Sequence, residues 1–266
     1  MAYLEVRCEN HLATVTLNRP DVRNAFNDEV ITELTRAFTA LGARDDVRCI
    51  ILAAKGKAFC AGADLNWMRS MADYSHAQNM DDASRLAGML AAVYRCPKPT
   101  IARIQGDVYA GGTGLVAACD MAISVDTANF CLSEARLGLV PSTISPYVIR
   151  AMGARMAHRY FLTAERFDAE AAVRMGFVHE VTTADGLDAK VDELVQLLLA
   201  NGPVAVPLCK KLVQDVAGME ITPELVALTV ASIADVRVSA EGREGLQSFL
   251  QKRPPGWLLP SAGKVA

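Results

Sequence analysis

Patterns typical of strands alternate with patterns typical of helices up to about residue 180, and only helical patterns follow residue 200 or so. Residues 12–20 alternate apolar and polar side chains and are rich in β-branched residues, as a half-buried strand requires. Residues 26–45 place apolar side chains at helical spacing, and Asn27 and Gly42 can cap the two ends of that helix. This order predicts an α/β body that carries a C-terminal helical appendage.

The remaining elements continue the same alternation. We expect buried strands at residues 47–56 and 100–110, and two short strands within residues 121–134. We expect helices to begin at Gly111 and to cover residues 76–95, 144–165, 168–176 and 187–202, with a loop at residues 58–68. The predicted domain boundary divides a core of residues 1–200 from a helical region of residues 201–266.

Composition limits the classes of partner. The chain has 266 residues, with 52% hydrophobic and 21% charged residues, the balance of a globular protein with a sizeable core. Its formal net charge is −3 and it has no long basic run, so we do not expect a nucleic-acid partner. No apolar run approaches the roughly 20 residues that a membrane-spanning helix needs, so we expect no membrane association.

The cysteines and the first residues indicate a compartment. There are seven cysteines, an odd number with no CxxC pair, and most have apolar neighbours. This pattern is typical of reduced thiols that serve as small core residues. The opening residues MAYLEVRCEN lack the charged and then apolar form of a secretion signal. We therefore expect a cytoplasmic protein.

Two loops of small residues carry the strongest functional signal. The segments CAGADL (60–65) and AGGTGL (110–115) each follow a predicted buried strand. Glycine gives up packing and backbone entropy, so such a cluster needs either a tight turn or the close approach of a ligand. Two such loops side by side could direct two backbone N–H donors at one oxygen, as in an oxyanion hole. Tight turns without a ligand are the alternative.

Glu134 is the candidate acid–base group. It lies in the mostly apolar run CLSEARLGLVP, residues 131–141. Burial there would raise its pKa towards the range in which a carboxyl group accepts and returns protons near neutrality. The alternative is a surface glutamate that is paired with Arg136.

Four motifs in order resemble those of the crotonase, or enoyl-CoA hydratase/isomerase, superfamily. They are NRPDVRNAFN, FCAGADL, PTIARIQGDVYAGGTGLVAACDMAI and FCLSEARLGLVP, and the resemblance runs from about residue 5 to residue 257. It implies an α/β fold, a spiral of ββα units with a C-terminal α-helical trimerisation region, assembled as a homotrimer or homohexamer. It also implies an acyl-CoA thioester substrate and no metal or redox cofactor, coenzyme A entering only as part of the substrate.

The resemblance assigns roles to particular residues. The N–H groups of Ala63 and Gly111 fall on the oxyanion donors, and Glu134 falls on an acid–base carboxylate. A side chain at Gly111 would then take the place of the bound carbonyl. The remaining implied coenzyme A or substrate contacts are Ala61 at the adenine amino group, Arg23 near the phosphates, Gly112 and Gly114 in the glycine loop, and Phe249 and Lys252 over the nucleotide of a neighbouring subunit.

The segment after the first loop is expected to line the acyl pocket. We assign Asp64, Trp67 and Met68 to this role, with helix capping by Asp64 and core packing by the other two as the alternatives. Tyr147 is placed near the acyl end on the same resemblance, with core packing as its alternative. A substrate with a distal carboxylate would also need a cation, and the sequence does not rank the four candidates Arg69, Arg85, Arg103 and His158.

One expected carboxylate is missing. Typical hydratases of the family carry a glutamate three residues after the oxyanion glycine and another 20 residues later, and this chain has Gly114 and Glu134 at these positions. The text around residues 59–68, 79–90 and 132–168 is most similar to bacterial 3-methylglutaconyl-CoA and isohexenylglutaconyl-CoA hydratases, which also lack the first glutamate. Gly114 would then remove a charge and make room for the carboxylate of the substrate. A Δ3,Δ2-enoyl-CoA isomerase with a single glutamate, and a non-catalytic acyl-CoA-binding protein, are the alternatives.

Overall fold

The structure is a computed structural model that describes residues 3–258. Its strands are β1 (Leu4–Glu9), β2 (Leu12–Leu17), β3 (Cys49–Ala54), β4 (Ala58–Cys60), β5 (Thr100–Ile104), β6 (Asp107–Tyr109), β7 (Met121–Val125), β8 (Asn129–Cys131), β9 (Arg166–Asp168) and β10 (Glu180–Thr182). Its helices are α1 (Asp28–Gly42), α2 (Leu65–Met71), α3 (His76–Tyr94), α4 (Gly111–Ala118), α5 (Ser145–Thr163), α6 (Ala169–Arg174), α7 (Leu187–Ala200), α8 (Ala205–Val216), α9 (Pro223–Val238) and α10 (Ala240–Leu250). The last eight residues of the predicted C-terminal region, 259–266, lie outside the described residues, as do residues 1–2.

The strands form two sheets that the chain visits in turn. The larger sheet has the order β1-β2-β3-β5-β7-β10, and the smaller has the order β4-β6-β8-β9. Each of β3, β5 and β7 is followed by a partner strand in the smaller sheet and then by one or two helices. Pairing is parallel except at β1–β2 and β8–β9. The expected spiral of ββα units is therefore confirmed.

The termini of several predicted elements are also confirmed. The side chain of Asn27 accepts a hydrogen bond from the N–H of Val30, as predicted. Gly42 is the last residue of α1, but the C-cap is Ala43, so the predicted cap at Gly42 is wrong by one residue. Strand β3 is buried along its whole length, as the apolar run of residues 47–56 predicts. All seven cysteines are free thiols, and four of them are buried.

Other expectations are wrong in detail. Residues 100–110 form two strands in different sheets rather than one, because the chain turns at Gly106, where a Cβ would lie 2.0 Å from the carbonyl oxygen of Lys57. The predicted loop at residues 58–68 contains β4 and the start of α2. Helix α5 is interrupted at Gly153, whose φ is +77°. The short strands β9 and β10 were not expected, because three residues are too few for a periodicity to appear.

The hydrophobic core ends where the C-terminal helices begin. It fills the space between the large sheet and helices α1, α3 and α7, and it includes Leu34, Phe38, Leu52, Met89 and Val195. Helices α8 and α9 contribute no buried residue. Among residues 3–258, no single helix has the length and apolar composition of a membrane span. The helical segments 184–200 and 205–216 meet these two criteria only when they are taken together, and they are bent by 103° relative to each other.

Candidate active site

Three functional segments leave the same edge of the smaller sheet. Strands β4, β6 and β8 are neighbours and run parallel, so their carboxyl ends lie side by side. Residues 61–64 follow β4, residues 110–112 follow β6 and residues 132–134 follow β8. Since neighbouring strands are about 4.8 Å apart, these three segments start within roughly 10 Å of one another. Ligands bind at this end of parallel strands in α/β proteins generally.

The loop after β4 is held by Phe26. The N–H of Phe26 donates to the carbonyl of Gly62 (2.7 Å), and the N–H of Asp64 donates to the carbonyl of Phe26 (2.7 Å). Phe26 thus forms a parallel bridge with Ala63. In such a bridge the N–H of the middle residue points away from its partner, so the Ala63 N–H is free to meet a ligand on the other side.

The loop after β6 begins a helix. Ala110 has φ +46° and ψ −122°, a conformation that non-glycine residues rarely adopt. It is held there because its N–H donates to the carbonyl of Cys131 (2.8 Å) and its carbonyl accepts from the N–H of Thr113 (2.8 Å). The N–H of Gly111 is therefore at the first turn of α4, where N–H groups lack helical partners and the helix dipole is positive.

The two loops pack directly against each other. A Cβ added to Gly62, whose φ is +88°, would lie 2.9 Å from the Cβ of Ala110 and 3.7 Å from the nitrogen of Gly111. A Cβ on Gly112 would lie 2.9 Å from the carbonyl oxygen of Cys60. These glycines are required for the close approach of one loop to the other. The backbones of the two loops are therefore in contact next to Ala63 and Gly111, and the roles of these two N–H groups as oxyanion donors stay predictions.

The side chain of Phe26 packs on the second loop as well. A Cβ at Gly111 would lie 3.1 Å from Cε2 of the Phe26 ring. A side chain at Gly111 would therefore press on Phe26, and the expectation that it would also take the place of the bound carbonyl stays a prediction. Phe26 touches both loops, so a shift of its ring would move both N–H donors.

Glu134 is the first residue of a short 3₁₀ turn, Glu134–Leu137, after β8. Its Oε2 atom is buried and has no hydrogen-bond partner among residues 3–258. Burial raises the pKa of its carboxyl group, opposed by a hydrogen bond from its own backbone N–H, and no other charged side chain of the described residues contributes. Arg136 instead donates to the carbonyl of Ala164. The alternative of a surface Glu134–Arg136 pair is therefore excluded.

This geometry agrees with the comparisons to known proteins. The family model described as enoyl-CoA hydratase/isomerase matches residues 7–259. The chain belongs to the enoyl-CoA hydratase/isomerase family. A crystal structure of an enoyl-CoA hydratase from Shewanella pealeana is 41% identical, with a TM-score of 0.93 and 96% of each chain covered.

Two further relatives extend the match. A crystal structure of an enoyl-CoA hydratase from Mycobacterium smegmatis is 34% identical, with a TM-score of 0.91, and the match covers 96% of this chain and 98% of that one. Enoyl-CoA hydratase EchA19 of Mycobacterium tuberculosis is 30% identical over 261 residues, which are 95% of each chain. The family resemblance therefore extends over the whole α/β body and the C-terminal helices.

Gly114 does not leave an open space. A Cβ at this position would lie 2.2 Å from Cγ2 and 2.6 Å from Cβ of Ile144, which is 2% exposed. The expectation that Gly114 makes room for a substrate carboxylate is therefore wrong, because Ile144 occupies that room. Position 114 carries no charged side chain, and the apolar side chain of Ile144 packs against it.

The residues after the first loop have mainly structural contacts. The Asp64 side chain accepts from the N–H of Asn66 and from Arg19 (both 2.8 Å), so it caps α2. Burial acts to raise the pKa of Asp64, but these hydrogen bonds together hold it below its usual value. Trp67 is 9% exposed and packs in the core, and its Nε1 donates to Asp82 (3.2 Å). Met68 is half-buried and stays a candidate pocket residue.

The residues expected to contact coenzyme A lie on the surface. The carbonyl of Arg23 accepts from the N–H of Ala61 (3.0 Å), so these two predicted contacts are neighbours. The side chain of Arg23 is exposed. Phe249 is 81% exposed at the end of α10, and Lys252 follows in a turn with φ +53°. Their roles in coenzyme A binding stay predictions.

The four candidate cations differ in their partners. Arg85 pairs with Asp81 (3.1 Å) and Arg103 pairs with Asp188 (2.6 Å). His158 bonds to the carbonyl of Ala154. Arg69 lies on α2, where it donates to the Asn66 side chain (2.7 Å), and no carboxylate within residues 3–258 pairs with it. Arg69 is thus the candidate whose charge is available near the first loop.

Three residues of the site were missed at the level of sequence. Phe26 lies in the quoted motif NRPDVRNAFN, but its letter does not show that it bridges two loops. Nothing in the sequence around Ala110 indicates its unusual φ. The pattern around Ile144 predicts only that this residue belongs to a helix. In the described residues, no three His, Cys, Asp or Glu side chains come together as a metal ion would require.

Proposed function

We propose that this protein is a hydratase of a branched glutaconyl-CoA, either 3-methylglutaconyl-CoA or its isohexenyl analogue. The observation that carries the proposal is the single carboxylate of Glu134, whose Oε2 atom is buried without a partner among residues 3–258, together with the apolar contact of Gly114 with Ile144. A glutaconyl substrate brings its own carboxylate, one methylene from the carbon that water attacks. A second enzyme carboxylate in a poorly solvated pocket would repel that group.

Water is added through a thioester enolate. The N–H groups of Ala63 and Gly111 donate to the thioester oxygen and stabilise the negative charge that develops there. The carboxylate of Glu134 accepts a proton from water while the water oxygen bonds to the β-carbon. The protonated Glu134 then returns that proton to the α-carbon, and the carbonyl re-forms. One carboxylate performs both transfers from one side, so the addition is syn.

Arg69 is the candidate partner of the substrate carboxylate. It lies five residues after Asp64 on the helix that follows the first oxyanion loop. Its exposed side chain has a neutral partner, Asn66, which can be exchanged for a carboxylate. Arginine suits this role because its planar group binds a carboxylate through two parallel hydrogen bonds.

Isomerisation is the second candidate, since one carboxylate can also move a proton between two carbons. Two assays on the wild-type protein decide between them: hydration of 3-methylglutaconyl-CoA and double-bond migration in an unbranched 3-enoyl-CoA. We expect kcat/KM for the hydration to exceed that for the migration by at least about 100-fold, a difference of about 3 kcal/mol. Fast migration without hydration of the glutaconyl thioester would assign the protein as an isomerase.

We also propose that three copies assemble through the C-terminal helices. Helices α8 to α10 and the loop between α8 and α9 expose apolar side chains that include Val213, Ile221, Val230, Val238, Phe249 and Leu250. Monomeric proteins rarely expose contiguous apolar patches larger than a few hundred Å². We expect sedimentation equilibrium to give the mass of three or six chains of 28.6 kDa. A monomeric mass at micromolar concentration would contradict the proposal.

A further inference from the structure

The segment between Glu134 and α5 brings one apolar side chain to the glycine helix. Ile144 immediately precedes α5, and its carbonyl accepts from the N–H groups of Tyr147 and Val148 (both 3.1 Å). Helix α5 packs against both α4 and the 3₁₀ turn that begins at Glu134. Ile144 therefore lies at the start of the helix that contacts both functional elements, and its side chain packs against Gly114 of α4.

The contact of Ile144 with α4 involves the first turn of that helix. Gly111 and Gly114 are three residues apart, so they lie on the same side of α4, about 5 to 6 Å from each other. The Ile144 side chain covers the Cα of Gly114 so closely that no side chain fits between them. Because isoleucine is β-branched, its side chain is stiff and holds this position firmly.

Glu134 has no ion-pair partner among residues 3–258. No charged side chain of the described residues contributes to its pKa. Burial and the charge of Glu134 raise the pKa of the Cys131 thiol, while Arg136 and Arg166 act in the opposite direction. Cys131 is therefore neutral near pH 7, and the charged groups that act on its thiol are Glu134, Arg136 and Arg166.

We propose that Ile144 is a specificity-determining residue. It fills the place from which a second carboxylate would reach the substrate, and thereby lets an acyl chain with its own negative charge bind beside Glu134. This inference rests on the proposed function. It assigns the tolerance for an anionic acyl chain to Ile144, which covers Gly114, and not to an open space at that glycine.

The test places a charge at position 144 and matches it with a neutral variant of equal shape. Ile144→Asp and Ile144→Asn are compared on 3-methylglutaconyl-CoA and on 3-methylcrotonyl-CoA, which has the same branch without the carboxylate. We expect Ile144→Asp to lower kcat/KM at least tenfold more for the anionic substrate than for the neutral one. Ile144→Asn should lower both by the same factor. Equal effects of Ile144→Asp on the two substrates would overturn the proposal.

A second variant keeps the test decisive if Ile144→Asp does not fold. Ile144→Ala opens the covered space to water, so the acidic limb of the pH–kcat/KM profile should move to lower pH as Glu134 becomes better solvated. Ile149→Ala, the same substitution at a 39% exposed position of α5, should leave the profile unchanged. An unchanged profile in Ile144→Ala would place Ile144 away from Glu134 and overturn the proposal.

The two proposals fail in different ways. If the wild-type protein hydrates 3-methylcrotonyl-CoA and not 3-methylglutaconyl-CoA, the proposed substrate is wrong. The pH profiles of Ile144→Asp and Ile144→Asn on the neutral substrate then still report on position 144. A higher apparent pKa in the Asp variant supports contact with Glu134, and identical profiles overturn it.

Discussion

Replacement of Glu134 by glutamine should lower kcat about 10³-fold, with a change of less than about threefold in KM. General acid–base groups typically contribute 10² to 10⁴ in rate, and here one carboxylate performs both proton transfers. Glutamine keeps the size and shape of the side chain but neither accepts nor returns a proton. Initial rates of hydration, followed by loss of the ultraviolet absorbance of the conjugated thioester, measure the effect.

The control for this prediction is Glu170→Gln. The Glu170 side chain is 82% exposed and forms an i,i+4 pair with Arg174 on α6, a type of contact that contributes less than about 1 kcal/mol. We expect its kcat within about twofold of the wild-type value. Full turnover by the Glu134→Gln variant would show that another group performs the proton transfers and would contradict the assigned role of Glu134.

The pH dependence gives an independent readout of the same residue. Burial raises the pKa of Glu134, and its ionised form is the base. The rate of the wild-type protein should therefore fall tenfold per pH unit below that raised pKa, starting at a higher pH than an ordinary glutamate with a pKa of about 4.3 would give. The residual rate of Glu134→Gln should lack this limb between pH 4 and pH 9.

Replacement of Gly111 by valine should lower kcat/KM by 10² to 10³. The new Cβ would lie 3.1 Å from the Phe26 ring, and the two methyl groups of valine add further overlap. Because Phe26 bridges to Ala63, the displacement should move both N–H donors away from the thioester oxygen. Removal of one such donor costs about 3 to 4 kcal/mol in a characterised enzyme. Steady-state kinetics on the folded variant, checked by circular dichroism, measures this loss.

The matched control is Gly88→Val. Gly88 lies on the exposed side of α3, and no atom outside its own helix lies within 4 Å of an added Cβ. The same side chain there should leave kcat/KM unchanged. Gly111→Ala combined with Phe26→Leu gives a second test, since the smaller side chain at position 26 should recover part of the activity lost in Gly111→Ala. A fully active Gly111→Val variant would contradict the assignment of this N–H as an oxyanion donor.

Much of the site could be predicted because its elements carry local signals. The cap at Asn27, the start of α4 at Gly111 and the buried strand before Cys60 each depend on a few neighbouring residues. The small residues of the two loops and the apolar surroundings of Glu134 are visible in the same way. The family motifs then assigned roles to Ala63 and Gly111, and the structure brings the two loops into contact next to these residues.

The structure corrected the prediction wherever residues distant in sequence meet. The division of residues 100–110 between two sheets depends on Gly106 packing against Lys57. The role of Phe26 depends on contact with loops that lie about 37 and 85 residues further along the chain. The spacing of apolar residues along the chain does not reveal such contacts, because strand pairing and side-chain packing depend on all segments of the fold together.

The sequence alone determined the α/β order, the glycine-rich loops, the single glutamate and the family. Only the tertiary structure decided that β4, β6 and β8 present these loops at one edge, that the Oε2 atom of Glu134 is buried without pairing to Arg136, and that Ile144 fills the place beside Gly114. The reason is physical: turns, caps and periodicity depend on backbone preferences within a few residues. The position of a side chain against another segment depends on how the whole core packs.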